Sequence, residues 1–229
     1  MAPLRVLCVH GYRQNSASFR EKTGALRKLL KKQVELVFVT APHRVHGARA
    51  GDPLRESVPS SSCETEEEED DVRGWWFSDT QARSFSAQQA CEESSGLDES
   101  VAAVREAVES QGPFDGVLGF SQGAALVAML CSLQEQKLEP LFHFRFAVLV
   151  AGFRSACAAH QRFYSATIRM PSLHVFGQED RVIPEAMSRD LLPTFLDPQV
   201  LTHAGGHFVP AASAHRQTYQ DFLRRCAAS

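Results

Sequence analysis

Short apolar runs alternate along this chain with segments in which apolar residues recur every three or four positions. Continuous apolar runs of this kind are typical of strands buried on both faces of a parallel sheet. The predicted strands are residues 4–10, 34–40, 115–120, 146–151, 172–176 and 199–203. The predicted helices are residues 18–32, 122–133, 184–195 and 214–225, with a further helix that follows Leu97 and stops at Gly112. The alternation predicts an α/β fold, a mostly parallel sheet with helices on both faces.

One stretch, residues 43–73, interrupts this pattern. It is rich in Gly, Pro, Ser and acidic residues and is too long for an ordinary connection between a strand and a helix. Seven of its acidic residues lie between positions 64 and 71. We expect a single domain over residues 1–229, with a flexible acidic insertion at about 43–73. The insertion is either a solvated loop or a lid or docking segment.

Charge and hydropathy exclude several classes of function. The net charge of −3 argues against nucleic acid as a partner, because phosphate binding requires a basic face. No apolar run approaches the roughly 20 residues that cross a bilayer, and the first residues lack the pattern of a signal peptide. We therefore expect no stable membrane insertion, no secretion, and a cytoplasmic location, with the nucleus as an alternative.

The six cysteines are scattered and form no CxxC pair, which predicts reduced thiols and no metal site. The last four residues, from Cys226 to Ser229, match the C-a-a-X pattern of prenylation. Alanine is a weak aliphatic residue at both middle positions. We therefore expect an ordinary chain terminus, with lipidation at Cys226 as the alternative.

The candidate chemistry starts at Gly119-Phe120-Ser121-Gln122-Gly123, which matches the G-x-S-x-G nucleophile elbow. In this motif a tight turn between a strand and a helix lifts the serine hydroxyl above the sheet. A predicted buried strand precedes Ser121, and small residues open a predicted helix after it. This context predicts that Ser121 is a nucleophile on an α/β-hydrolase fold.

A serine nucleophile needs a histidine base and an acid that orients it, in the chain order Ser, acid, His. His207 lies in a glycine-rich loop just after the last predicted strand, and His203 within that strand is its rival. Asp180 follows the strand 172–176, at the sheet edge where such sites assemble. Its neighbour Glu179 is the alternative acid.

Stabilisation of the oxyanion requires two backbone N–H donors. The residue after the nucleophile, Gln122, supplies one of them. The loop after the first strand is expected to supply the other, and we assign it to Tyr12, because Gly11 lets the backbone approach a substrate.

Three consecutive aromatic residues, Trp75, Trp76 and Phe77, follow the insertion. Large aromatic side chains need an apolar partner. They either anchor the end of the insertion in the core or line a pocket for an acyl chain.

Six segments in order resemble the eukaryotic FSH family of serine hydrolases. They are LRVLCVHGYRQN, FREKTGALRK, RGWWFS, GPFDGVLGFSQGAALVAML, PSLHVFGQEDRVIP and LTHAGGHFVPA. The resemblance implies a triad at Ser121, Asp180 and His207, the hydrolysis of carboxylic esters, a preference for apolar acyl chains as in the family's animal member, and no cofactor. The acidic run lies where we expect the family to vary, so the resemblance implies nothing for it.

Together these features predict a serine esterase that forms an acyl-enzyme on Ser121 and acts on small-molecule esters with medium-to-long apolar chains. The nearest alternative is an acyl-thioesterase, because the same triad cleaves both bonds. A non-enzymatic scaffold that kept the fold is the alternative from another class. The oligomeric state stays open.

Overall fold

A six-stranded parallel sheet forms the centre of the structure, a computed structural model that describes residues 2–46 and 71–228. The strands along the chain are β1 (Leu4–Val9), β2 (Val34–Val39), β3 (His43–Arg44), β4 (Arg73–Gly74), β5 (Gly116–Phe120), β6 (Phe146–Val150), β7 (Ser172–Gly177) and β8 (Gln199–His203). The sheet has the order β2-β1-β5-β6-β7-β8, and all its neighbours are parallel. The predicted parallel sheet is confirmed.

Helices cover both faces of this sheet. They are α1 (Ser16–Lys22), α2 (Gly24–Leu30), α3 (Leu97–Gln111), α4 (Gln122–Glu135), α5 (Glu185–Leu191) and α6 (Arg216–Ala228). Helix α4 packs so closely on one face that a Cβ on Gly119 would collide with the backbone of Gly123. On the opposite face, Val6, Leu118 and Val148 share an apolar cavity with residues of α2 and α6.

Two predicted helices are shorter in the structure. The segment 18–32 is divided into α1 and α2 at Thr23, whose hydroxyl donates to the carbonyl of Phe19 over 2.7 Å. A side chain bonded to the preceding turn in this way competes with the regular helix. The predicted helix 184–195 ends as α5 at Leu191 and continues as a 3₁₀ turn, because Pro193 cannot donate a backbone hydrogen bond.

The two ends of the predicted insertion meet in the structure. Strands β3 and β4 pair antiparallel, His43 with Gly74 and Arg44 with Arg73. The Arg73 guanidinium holds Asp71 over 2.7 Å and donates to the carbonyl of Ala41. Most of the acidic run lies outside the described residues, so the flexible insertion at 43–73 stays a prediction.

The carboxyl-terminal helix packs on the body of the protein. Cys226 is buried in α6, and its carbonyl accepts a hydrogen bond from Arg145 over 2.6 Å. Burial raises the pKa of the Cys226 thiol to about 11. Cys226 is thus held inside the protein by the packing of α6, and its lipidation stays untested. Within the described part of the chain, no helix is long and apolar enough to cross a membrane.

We predict that stability falls on acidification because buried histidines are held neutral. Burial lowers the pKa of His10 and His160 to about 4 and that of His174 to about 3. Each folded pKa lies below the ordinary value of 6.5, so the stabilisation is complete above pH 6.5 and is lost as pH falls toward 4. Each histidine contributes up to about 1.4 kcal/mol per pH unit.

Urea unfolding at pH 7 and pH 5 measures this loss. The substitution His174→Gln retains a hydrogen-bonding partner for Ser172 but removes the titrating group. It should reduce the loss of unfolding free energy between the two pH values by about 2 kcal/mol. An unchanged loss in the variant would contradict the prediction.

Candidate active site

Ser121 occupies a strained turn between β5 and α4. Its backbone has φ 55° and ψ −120°, a left-handed region that residues other than glycine rarely adopt. The Ser121 N–H donates to the carbonyl of Val150 over 2.9 Å, and its own carbonyl accepts from Ala125 over 3.0 Å. The strained residue is thus held by the neighbouring strand and by the first turn of α4.

Close backbone packing brings the end of β1 beside this turn. A Cβ on Gly123 would collide with the carbonyl oxygens of Val9 and His10, so only glycine allows the approach. The elbow and the loop after β1 therefore lie against each other, although more than 100 residues separate them in the sequence.

His207 and Asp180 meet at the carboxyl ends of β7 and β8. The Nδ1–H of His207 donates to Oδ2 of Asp180 over 2.7 Å. The other oxygen of Asp180, Oδ1, accepts the backbone N–H groups of Val182 and Ile183 at 2.9 and 2.8 Å. The Asp180 side chain is fully buried, whereas 17% of the His207 side chain is exposed. This arrangement fixes the imidazole orientation and leaves Nε2 as its proton acceptor.

The imidazole of His207 also lies against the elbow. Its ring centroid is 4.7 Å from that of Phe120, the residue before Ser121. The structure therefore brings Ser121, Asp180 and His207 to one edge of the sheet.

The rival residues occupy other environments. Glu179 is exposed, and its backbone N–H donates to the carbonyl of Gly205. His203 is buried; its Nδ1 accepts the N–H of Gly205 over 3.2 Å, and its ring packs on Phe208. Burial lowers the pKa of His203. His203 thus supports the loop that carries His207, while Asp180 contacts the His207 imidazole.

The loop after β1 is tightly organised around Tyr12. The Gly11 N–H donates to Oε1 of Gln14 over 2.8 Å, and the Tyr12 ring packs on Gly74, where a Cβ would lie 2.9 Å from it. Within residues 2–46 and 71–228, the backbone N–H groups of Tyr12 and Gln122 have no hydrogen-bond acceptor. Two donors thus remain available in the loop and the elbow.

His10 supports the same loop from inside the protein. Its Nδ1–H donates to the carbonyl of Gly11 over 2.7 Å, and its Nε2 accepts the N–H of Ala41 over 3.0 Å. Both ring nitrogens are therefore engaged, and the ring is fully buried. His10 therefore shapes the loop after β1.

The side chain of Gln122 is a site residue that sequence reasoning missed. It is fully buried; its Oε1 accepts the N–H of Trp75 over 2.9 Å, and its Nε2 donates to the carbonyl of Trp76 over 2.8 Å. The amide group thus makes one accepted and one donated hydrogen bond with this backbone, as a neighbouring strand would. The only available signal was an amide residue inside G-x-S-x-G, and it does not reveal the partner.

The three aromatic residues after the insertion are all buried, but they have different surroundings. Trp75 donates from Nε1 to the carbonyl of His10 over 2.7 Å, and Phe77 packs on the ring of His43. These two residues anchor the segment in the core. Trp76 instead lines a small cavity.

Residues that line this cavity also contact the elbow and the loop after β1. Its aromatic residues are Trp76, Phe85 and Phe153, and the Phe85 ring lies 5.4 Å from that of Tyr12. The Trp76 carbonyl accepts a hydrogen bond from the Gln122 side chain. Phe85 and Phe153 were not predicted, because neither lies in a recognisable motif.

The chain is similar to known serine hydrolases and esterases over nearly its whole length. The family model described as serine hydrolase (FSH1) matches residues 1–219. Esterase OVCA2 of Danio rerio is 67% identical over 231 residues, covering 97% of each chain. Esterase OVCA2 of Homo sapiens is 45% identical over 227 residues, covering 98% of this chain and 97% of the relative.

Solved structures share the fold at low sequence identity. Esterase PE8 superposes with a TM-score of 0.62 at 17% identity, covering 98% of this chain and 93% of the other. Acyl-protein thioesterase 2 of Zea mays gives 0.63 at 18% identity, covering 97% and 95%. The predicted α/β-hydrolase fold is confirmed.

We predict that Gln122→Leu lowers both stability and the reactivity of Ser121. The substitution leaves the buried N–H of Trp75 and the carbonyl of Trp76 without partners, which should cost about 2 to 4 kcal/mol. The substitution also removes the hydrogen bonds that hold Trp75 and Trp76 against the elbow. Urea unfolding measures the first effect, and the rate of labelling by a fluorophosphonate measures the second.

A matched control is Gln134→Leu. The amide of Gln134 makes the same double contact with the backbone of Phe144, at 2.8 and 2.9 Å, near the other end of α4. This variant should lose stability while its Ser121 labels at the normal rate. Equal labelling rates in the two variants would contradict a positioning role for Gln122.

Proposed function

The chain belongs to the serine hydrolase (FSH1) family, and from this membership we propose that it hydrolyses carboxylic esters through an acyl-enzyme on Ser121. The resemblance inferred from the six sequence segments is thereby confirmed, and the protein is a hydrolase. The observation that carries the proposal is the 2.7 Å contact between His207 and the buried Asp180 at the edge of the sheet that bears the strained Ser121.

In the acylation step, Ser121 Oγ attacks the ester carbonyl carbon while Nε2 of His207 takes the hydroxyl proton. Asp180 stabilises the imidazolium that forms, because it already accepts the Nδ1–H. The negative charge that develops on the carbonyl oxygen is stabilised by the backbone N–H groups of Tyr12 and Gln122. The tetrahedral intermediate then collapses, and the alcohol leaves with the proton from His207.

Deacylation repeats these steps with water. His207 removes a proton from the water molecule, whose oxygen attacks the acyl carbon. The same two N–H groups stabilise the second tetrahedral intermediate. Its collapse returns the proton to Ser121 and releases the carboxylic acid.

We assign the acyl chain of the substrate to the cavity lined by Trp76, Phe85 and Phe153. The lining combines these three aromatic residues, which offer apolar surface to the chain, with polar residues such as Ser78, Gln89 and Ser155. Phe85 and Trp76 contact Tyr12 and Gln122, the residues that carry the proposed oxyanion donors. This assignment retains Trp76 from the sequence-based pocket. Trp75 and Phe77 have a structural role instead, because both are buried and neither lines this cavity.

We predict that Ser121→Ala abolishes fluorophosphonate labelling and ester hydrolysis. Asp180→Asn should lower kcat by on the order of 10³ to 10⁴, since the imidazole loses its orienting carboxylate. Kinetics on p-nitrophenyl esters provide the measurement. The control is Glu179→Gln, because Glu179 is the adjacent, exposed carboxylate.

Normal activity in Asp180→Asn, or a matching loss in Glu179→Gln, would overturn the triad assignment. A paired series of oxygen and sulfur esters tests the nature of the substrate. Faster turnover of the thioesters, corrected for their intrinsic reactivity, would favour an acyl-thioesterase.

We predict that the size of residue 85 sets the preferred acyl length. Phe85→Ala enlarges the cavity and should move the maximum of kcat/KM to longer chains, whereas Phe85→Trp should move it to shorter ones. A series of p-nitrophenyl esters from acetyl to dodecanoyl measures the maximum. Leu138→Ala, at an exposed residue outside the cavity lining, is the control. An unchanged maximum in both Phe85 variants would contradict the acyl assignment.

A further inference from the structure

Two cysteines lie side by side where the segment 75–96 passes the segment that follows β6. Cys91 and Cys157 form a parallel bridge. The Ala158 N–H donates to the carbonyl of Cys91 over 2.8 Å, and the Ala159 N–H donates to that of Glu92 over 3.1 Å. The two backbones are therefore held in register at the cysteines.

This register suits a disulfide. Paired residues of neighbouring strands lie about 4.8 Å apart, within the 4.4 to 6.8 Å that separate the Cα atoms of disulfide-bonded cysteines. Bridged residues also point their side chains to the same face. The Cys157 thiol is also near enough to Cys91 to raise the pKa of the Cys91 thiol. A covalent bond between the two sulfur atoms therefore requires little movement of the backbone.

The surroundings further restrain the pair. The Cys157 N–H donates to Oγ of Ser155 over 3.2 Å, and the Cys157 thiol donates to the carbonyl of Glu92 over 3.5 Å. Cys157 is buried, whereas Cys91 is partly exposed. A small soluble disulfide can therefore reach Cys91 first.

We propose that Cys91 and Cys157 form a reversible disulfide through exchange with a small-molecule disulfide such as oxidised glutathione. The Cys91 thiolate attacks one glutathione sulfur, which forms a mixed disulfide and releases one glutathione thiolate. The Cys157 thiolate then attacks Sγ of Cys91, which releases the second glutathione. Two electrons pass from the cysteine pair to the glutathione disulfide, and the two thiol protons end on the two glutathione molecules.

The disulfide would join two walls of the cavity beside the elbow. Cys91 and Cys157 both line this cavity, together with Trp76 and Phe85 from the segment 75–96. Closing the long loop between residues 91 and 157 restricts the unfolded chain, so the oxidised form should be the more stable one. The redox state of the surroundings would thereby control the stability of this wall.

Exchange is slow at neutral pH, because burial and the neighbouring Cys157 thiol raise the pKa of Cys91 to about 11. The test therefore uses long incubation of the purified full chain with excess oxidised glutathione at mildly alkaline pH. Free thiols are then blocked with N-ethylmaleimide, and peptides are mapped by mass spectrometry. We expect a peptide cross-linked between Cys91 and Cys157, which dithiothreitol cleaves.

Oxidation should also raise Tm by at least about 5 °C, reversibly. The matched control is Cys63→Ser, which removes a cysteine of the insertion and should leave the cross-link intact. Cys157→Ser should instead stop at a glutathione adduct on Cys91, and Cys91→Ser should give neither product nor any increase in Tm. The two single variants provide independent tests if one of them fails to fold.

A wild-type chain that accumulates the glutathione adduct without the cross-link would overturn the proposal. So would a cross-link from Cys91 to Cys63, or no loss of thiols. None of these readouts requires esterase activity, so the result is independent of the proposed function.

Discussion

The close packing of backbone against backbone around Ser121 is the constraint on which the rest of the site depends. Ser121 is held at φ 55°, and the glycines on either side let α4 contact β5 and the end of β1 without intervening side chains. The turn therefore sits where the loop after β1, the end of β6 and the His207 loop converge. A side chain at Gly119 or Gly123 would separate these elements, and the nucleophile would lose its surroundings.

Buried polar groups hold the neighbouring segments in place around this turn. The amide of Gln122 pairs with the backbone of Trp75 and Trp76. The two ring nitrogens of His10 bond to Gly11 in the loop after β1 and to Ala41 after β2. Such groups are costly to bury without partners, so their complete pairing specifies one arrangement. Trp75 connects the two systems, since its indole N–H donates to the carbonyl of His10. The aromatic segment is thus part of the support for the site.

The segment 75–96, which begins with these aromatic residues, connects the site with the cavity and with the cysteine pair. It begins at the tie to Gln122, contributes Phe85 to the cavity wall and reaches Cys91 beside Cys157. A structural change at either end of the segment therefore acts on one continuous stretch of backbone. Its position between the elbow and the segment after β6 explains why packing, proposed acyl binding and proposed redox chemistry converge on this stretch.

The sequence by itself determined the parallel sheet and predicted that Ser121, Asp180 and His207 follow the carboxyl ends of strands, because strand periodicity and chain order decide which residues lie there. It left open Asp180 against Glu179 and His207 against His203, and it missed the division of the segment 18–32. Only the tertiary structure decided which carboxylate contacts the imidazole, what the Gln122 amide binds, which aromatic residues line the cavity, and that Cys91 meets Cys157. These contacts join residues far apart in the chain, and local patterns carry no information about side chains that meet only after the layers pack.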